Sequence, residues 1–357
     1  MSDATESAIG ASPGGPVRPR PTGVLAASTV AAIGAGAAVA VQTSVNGHVS
    51  VLTGSPVLAT AINHGSALLV GVVVALAIGA LPRAWRSLRR RRSEIRRWWF
   101  LGGLMGFAAV LAIILATPAL GVVTVAVAVT LGQLAGSVVA DSSGIGPGGR
   151  RRLTALRIVG IGVAIVAIVV GALGHLESGD LVLILLIVAG GIVIAIQQAA
   201  NGWLVVVTGG EWAAMTVINF VVSGVAVGIA LLVQVAVAPP DFSALPWWGP
   251  LGGILGAAIG VVIAITVRTI GVLSSMLCVA AGQAIASIGA DLLFPVAGVG
   301  VSAGSILGAV LAVGAVALAG LGSVPRRTPA PGHPHHPVPE RAERESKGAD
   351  EGAEHAD

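Results

Sequence analysis

The chain has 357 residues, of which 55% are hydrophobic and only 10% are charged, and its mean hydropathy is +0.93. Soluble domains carry about 25% charged residues, and a soluble fold of this length could not remove so much apolar surface from water. The formal net charge of +4 comes from arginine-rich segments, which in a membrane protein report orientation first. The composition therefore excludes a soluble protein, gives no reason to expect a nucleic-acid partner, and predicts an all-α polytopic membrane protein.

Polar sequence flanks the apolar part of the chain on both sides. Residues 1–23 are rich in Pro, Gly, Ser and Ala, and residues 323–357 are rich in Pro, Arg, Glu and His. Such segments cannot bury enough apolar surface to fold, so both are predicted to be disordered tails. The first aliphatic stretch is too long for a signal-peptide core and is expected to be a retained span.

Aliphatic runs separated by Gly, Pro and charged residues predict ten membrane-spanning helices. Very short connections, such as "TPALG" at 117–121 and "RTIG" at 268–271, force neighbouring helices to run antiparallel. The predicted spans are 24–45, 56–81, 98–117, 119–140, 155–174, 181–206, 212–238, 247–267, 269–290 and 301–321.

The cations lie on one side of this ten-helix arrangement. The loop after the second span reads "PRAWRSLRRRRSEIRRWW" and holds eight arginines, and residues 150–152 and Arg157 follow the fourth span. The loops on the other side contain no Lys or Arg. By the positive-inside bias, both tails are predicted to be cytoplasmic. The arginine run at 83–97 is expected to face anionic lipid headgroups.

The apolar region consists of two similar halves, predicted to be five-helix units at 24–174 and 175–322. Because five is odd, the second half must enter the membrane upside down relative to the first. Inverted repeats are typical of secondary transporters, whose solute site lies near the midplane between the halves. The recurring motifs are "QTSVNG" (42–47) with "QQAANG" (197–202), "TAIN" (60–63) with "TVIN" (216–219), and "LGG" followed by "GQ" and "D" in both 101–141 and 251–291.

With Q-x-x-x-N-G in the first helix of each half, then T-G, paired tryptophans before L-G-G, and G-Q…S…D, the chain resembles the drug/metabolite transporter superfamily. Within it, the chain most resembles the YdcZ-type inner-membrane exporters, which are EamA-like. The resemblance covers about residues 24–321 and implies a bacterial cytoplasmic-membrane carrier for small organic solutes. The chain departs from the family pattern in its arginine-rich loop and in "DSSGIG" at 141–146.

Eight side-chain amides are candidates for a solute-binding cavity. Gln42 and Asn46 are four residues apart, as are Gln197 and Asn201, so each pair shares one helix face. Amides in hydrocarbon are costly unless hydrogen-bonded, so we expect either helix–helix contacts or a cavity lining. For Asn46 and Asn201, which precede glycine near predicted helix ends, local capping is favoured. The full set is Gln42, Asn46, Asn63, Gln133, Gln197, Asn201, Asn219 and Gln283.

Three ionisable residues are candidates for gating or protonation. Asp141 and Asp291 fall at span ends, on opposite sides of the membrane in the inverted arrangement. Each is expected either to cap the start of a neighbouring helix or to act as a gate or proton-sensing acid. His64 lies inside a span, where a hydrogen-bonded structural role is favoured over proton relay. Because no carboxylate is seen at mid-depth, proton coupling through a central acid is not supported.

The predicted function is secondary transport, as an exporter that moves a small organic metabolite or drug-like solute by alternating access. The alternative is a non-transporting scaffold or accessory subunit that binds lipid or a partner through the arginine-rich loop and tail. An intramembrane enzyme is least favoured, because no nucleophile–base pair is visible. No cofactor or metal is expected, and a homodimer is left open.

Overall fold

The computed structural model describes residues 22–147, 149–150, 154–172, 179–270 and 272–321. Over these ranges the chain forms helices and turns and no β-strand, which confirms the all-α prediction. The two predicted tails lie outside the described residues, except that residues 22 and 23 begin the first helix. The helices are α1 (Thr22–Thr53), α2 (Pro56–Ala77), α3 (Ala80–Arg90), α4 (Gly102–Ser143), α5 (Ala155–Ala172), α6 (Asp180–Val207), α7 (Trp212–Val237), α8 (Leu251–Ile270), α9 (Val272–Leu293) and α10 (Ala303–Leu321).

Ten membrane passes fit these helices. Six apolar segments are long enough to cross a bilayer, and the 47-residue segment Arg97–Ser143 among them is long enough to cross twice. Three shorter apolar helices complete the set. The long segments are Thr22–Thr53, Pro56–Ala77, Arg97–Ser143, Asp180–Val207, Trp212–Val237 and Ser275–Leu293, and the shorter ones are Ala155–Gly171, Leu251–Ile263 and Ala303–Ala319.

The long helix α4 is broken near its middle, at the "TPALG" sequence. Pro118 cannot donate to the helical ladder, and Gly121 has φ 74° and ψ 165°, a conformation open to glycine and strained for other residues. The break divides α4 into α4a (102–120) and α4b (122–143). The sequence-based link between the third and fourth spans is therefore present as a sharp kink.

Helix α1 is longer than predicted at its C-terminal end, whereas α6 ends within one residue of the prediction. The spans were expected to end at 45 and 206, whereas α1 continues to Thr53 and α6 ends at Val207. Asn46 and Asn201 therefore lie inside helices, and the prediction that they cap helix ends is wrong. Gly47, which follows Asn46, instead allows a close approach, since a Cβ there would be 2.8 Å from the Thr117 methyl group.

The arginine-rich segment, which is predicted to be a loop, contains a surface helix. Gly79, with φ 64°, ends the second span, and α3 then runs with all of its arginines exposed. Ala80 and Ala84 are its buried positions and pack against α7. Arg83 forms an ion pair with Glu211 at the start of α7. That hydrogen bond from the guanidinium holds the pKa of Glu211 below its usual value.

The helix ends gather into two groups. At one, termed the arginine end, Arg83 meets Glu211, and the Ser87 hydroxyl donates to the Val207 carbonyl (2.9 Å). At the other, termed the Asp241 end, the Asp241 amide donates to the Thr53 carbonyl (3.2 Å). Helix α2 therefore runs from the Asp241 end to the arginine end, and α7 runs from the arginine end to the Asp241 end.

Candidate functional site

The first polar cluster lies where α1, α2 and α8 cross, near the Asp241 end. Asn46 and Asn63 are 4% and 3% exposed, and the Asn63 amide donates to the Asn46 side-chain oxygen at 3.2 Å. The pair packs on Gly252 of α8. One turn further along α8, a Cβ at Gly256 would be 2.7 Å from the Gln42 side-chain nitrogen. The two glycines therefore let α8 approach these amides closely.

A second cluster of the same composition lies where α6, α7 and α4a cross, near the arginine end. The Asn219 amide donates to the Asn201 side-chain oxygen at 2.6 Å. A Cβ at Gly102 would be 2.9 Å from the Asn219 side-chain oxygen, and one at Gly106 would be 2.6 Å from the Gln197 nitrogen. Each half thus packs its two asparagines and one glutamine against glycines of the other half.

Within each cluster the asparagines and the glutamine differ in what they bond. Asn46 bonds to Asn63 and Asn201 to Asn219. Gln42 and Gln197 are half-buried, and the described residues offer neither side chain a hydrogen-bond partner. Two amides at matching positions are thus free to bond a solute or water, whereas the asparagine pairs join neighbouring helices.

The other two candidate glutamines have different surroundings. Gln133 of α4b is exposed. Gln283 of α9 lines a cavity of about 20 Å³ with Thr130 and Ser287, which is room for about one water molecule. Neither is brought into contact with the two asparagine–glutamine clusters.

The two aspartates occupy different environments. Asp291, 3% exposed, accepts hydrogen bonds from the backbone amides of Val122 (2.9 Å) and Val123 (2.8 Å). It therefore caps the start of α4b just after the kink. Asp141 pairs instead with Arg157 of α5 at 2.7 Å. Of the two roles weighed for each residue, the geometry at Asp291 is that of a helix cap.

His64 is buried on α2, next to the first cluster in sequence. Its Nδ1 is 3.0 Å from the Thr60 carbonyl, and its ring meets Phe220 of α7 edge-on, with centroids 5.8 Å apart. These contacts fit the hydrogen-bonded structural role, in which His64 packs α2 against α7. Among the described residues, no three His, Cys, Asp or Glu side chains gather into a group that could hold a metal.

The sequence matches a known protein family. A sequence model of the family described as "putative inner membrane exporter, YdcZ" matches the chain twice, over residues 27–170 and 182–318. Together the two matches cover well over half of the 357 residues. The chain belongs to the YdcZ family. No curated protein matches the chain.

Membership of the YdcZ family bears on function as well as on fold. The family is described as one of inner-membrane exporters and is of the drug/metabolite transporter type. The number and length of the apolar helices fit a protein that crosses the membrane several times. Together they support a membrane transporter of the inner membrane. The family is a transporter family and not an enzyme family.

One residue of interest was missed from the sequence. His48, one residue after the "NG" of α1, lines a cavity of about 540 Å³ between α1 and α9. The sequence does carry a signal for it, because the position after "NG" is His48 in one half and Trp203 in the other. The remaining lining is Val41, Ser44, Val45, Trp248, Ala286, Gly289, Ala290, Leu293 and Phe294.

Proposed function

We propose that this chain is a secondary transporter of small organic solutes, built as two inverted five-helix halves that rock about two related polar clusters, one containing Gln42 and the other Gln197. The observation that carries the proposal is the matched pair of half-buried glutamines without a hydrogen-bond partner among the described residues. An amide left unbonded at membrane depth is costly, and it is compensated when a solute or water bonds to it.

The proposed inversion is supported by where the two clusters lie. Asn46 and Asn63 pack on Gly252 near the Asp241 end, whereas Asn201 and Asn219 pack on Gly102 near the arginine end. A repeat related by an axis in the membrane plane is expected to place equivalent groups near opposite ends. The two separate matches to one family, 27–170 and 182–318, agree with a duplicated unit.

The proposed orientation places the arginine end in the cytoplasm. All eight arginines of 83–97 are exposed there, and Arg157 lies on the same side. Arginines in short loops favour the cytoplasmic face. In this orientation α3 lies at the surface of the inner leaflet, and its exposed guanidinium groups are proposed to contact anionic lipid headgroups.

The test is transport by purified protein in liposomes loaded with a metabolite extract, with the solutes that leave identified by mass spectrometry. The double variant Gln42→Leu/Gln197→Leu is expected to lose most of the flux, at least tenfold, while keeping its elution volume and melting temperature. Leucine matches the size of glutamine but cannot bond a solute.

The matched control is Gln198→Leu, the same replacement one residue further on at an exposed position. It removes only a long, 3.3 Å bond from the Asn201 amide and is expected to keep its flux. Unchanged flux in the double variant would contradict the proposed site. A protein that moves no solute but co-purifies with a stable partner would instead favour the scaffold function, in which the arginine-rich helix is the binding surface.

A further inference from the structure

The cavity beside His48 has the size and lining of a ligand site. Its volume of about 540 Å³ falls within the range of about 300–1,000 Å³ found for small-molecule sites. The lining is aliphatic and aromatic apart from Ser44 and His48, and it contains no Asp, Glu, Lys or Arg. Such a lining favours an uncharged, largely apolar ligand.

The hydrogen bonding of His48 determines which of its ring nitrogens can accept a hydrogen bond from a ligand. Nδ1 is 2.9 Å from the Ser44 backbone carbonyl, an acceptor only, so Nδ1 carries the proton in the neutral ring. Nε2 is then left with a lone pair. A ligand that presents an N–H or O–H group to Nε2 would complete the hydrogen bonding of the ring.

The equivalent space at the arginine end is occupied by the chain itself. There Trp203 stands where α1 has His48, and its indole N–H donates to the Ile145 carbonyl at 2.8 Å. Trp203 also stacks on Trp99, with ring centroids 5.1 Å apart. A Cβ at Gly202 would be 2.9 Å from Pro147. A Cβ at Gly47 would likewise be 3.1 Å from Val296, so the two glycines have similar contacts. The difference lies in the next side chain, because the Trp203 ring is packed on Trp99 whereas His48 lines an open cavity.

We infer that the cavity between α1 and α9 is the entry site for the transported solute, and that the solute is an uncharged, drug-sized, aromatic or aliphatic compound with an N–H or O–H donor. This inference rests on the proposed transport function and names its substrate class. The donor bonds His48 Nε2, and the apolar body packs against Trp248 and the small residues of α9.

The probe for this site is 2-naphthol, compared with 2-methoxynaphthalene, which has the same rings and no donor. Binding to the purified full chain in nanodiscs is measured by calorimetry. Wild-type protein is expected to bind 2-naphthol more tightly than the ether. His48→Leu is expected to weaken 2-naphthol binding by roughly three- to tenfold without changing ether binding, and His48→Gln, which keeps an acceptor, is expected to restore much of it.

A second variant tests the cavity without touching His48. A Cβ at Gly289 would have no atom within 4 Å, so Gly289→Phe can fill the cavity without straining the backbone. It is expected to abolish binding of both probes. Gly228→Phe on α7, where a Cβ also meets open space, is the matched control and is expected to bind both probes normally.

The outcomes separate this inference from the proposed function. Equal binding of the two probes, unchanged in His48→Leu, would show a nonspecific apolar groove that holds lipid chains, and would overturn the inference. If binding behaves as expected but no solute crosses the liposome membrane, the transport function fails and the site remains. If flux persists and depends on the glutamines while neither probe binds, the entry site fails and transport stands.

Discussion

Asparagine and glutamine, which differ by one methylene group, have different partners in this protein. The shorter Asn46 and Asn201 sit on α1 and α6 and bond to Asn63 and Asn219 of the next helix. The longer Gln42 and Gln197, one turn away, extend over glycine and find no protein partner in the described part of the chain. The helix-joining role and the proposed solute-binding role are therefore carried by different amides of the same motif.

Asp291 offers a test of a single polar contact. Its carboxylate accepts hydrogen bonds from two backbone amides at the start of α4b. A negative charge at a helix N-terminus stabilises the helix. Asp291→Asn retains one acceptor oxygen and loses the charge. We expect it to lower the free energy of unfolding by about 1–3 kcal/mol, measured by thermal denaturation in detergent.

The control for this experiment is Asp241→Asn. Asp241 also caps a short helical turn, with its carboxylate accepting from the Ser243 amide at 2.9 Å, but it is exposed. Water can replace a hydrogen bond lost there, so Asp241→Asn is expected to lower the free energy of unfolding less than Asp291→Asn does. An equal loss in both variants would mean that burial of Asp291 adds nothing to its capping bond.

These polar residues could be predicted from the sequence, but their hydrogen-bond partners could not. The four-residue spacing places Gln42 and Asn46 on one face of α1, and the repeat relates them to Gln197 and Asn201. Which asparagines bond is decided by how α1 packs on α2 and how α6 packs on α7. Which glycines the amides meet is decided by how α1 crosses α8 and how α6 crosses α4a. Those crossings are long-range contacts that cannot be deduced from the spacing within one helix. The same holds for the hydrogen bonds that the α4b amides donate to Asp291.

The glycines of α4a and α8 differ in whether they pack against backbone or against a side chain. A Cβ at Gly103 or Gly253 would collide with a backbone carbonyl, that of Asn219 or Asn63. A Cβ at Gly106 or Gly256 would instead meet the end of a glutamine side chain. Backbone cannot move aside cheaply, whereas the end of a flexible side chain can.

Alanine substitutions should separate these two roles. We expect Gly103→Ala and Gly253→Ala to lower stability by about 1–3 kcal/mol through overpacking. Gly106→Ala is expected to leave the melting temperature nearly unchanged and to reduce solute flux, because Gln197 is displaced. The measurements are thermal denaturation and liposome flux on the same preparations.

The control substitution is Gly228→Ala, at a position with open space around it, which should change neither property. If Gly106→Ala keeps full flux, the position of Gln197 does not matter for transport. If Gly103→Ala is as stable as wild type, α4a and α7 can separate more easily than their close approach suggests.

The helices themselves were largely predictable, because aliphatic runs of sufficient length between Gly, Pro and charge define spans. Two features were missed. The polar residues Gln42 and Asn46 interrupt the apolar run of α1, so its end was placed too early, although both amides are accommodated against α8. The eight arginines of 83–97 concealed α3, whose spacing of Ala80 and Ala84 by four residues is that of one helix face.

The inverted repeat can be tested by the side of the membrane on which two equivalent serines lie. Ser93 and Ser243 are both exposed, and each lies five residues before an equivalent tryptophan, Trp98 or Trp248. An inverted repeat places them on opposite sides of the membrane. In a Cys278→Ser background, which removes the single cysteine, each serine is replaced by cysteine and intact cells are treated with a membrane-impermeant maleimide.

Ser243→Cys is expected to be labelled in intact cells and Ser93→Cys only after the membrane is permeabilised, because the arginine end is proposed to be cytoplasmic. The reverse pattern would keep the inversion and reverse the orientation of the protein. Labelling of both from the same side would contradict the inverted repeat itself. In that case the opposed asparagine–glutamine clusters would need another origin, and a carrier that rocks about two equivalent halves would lose its structural basis.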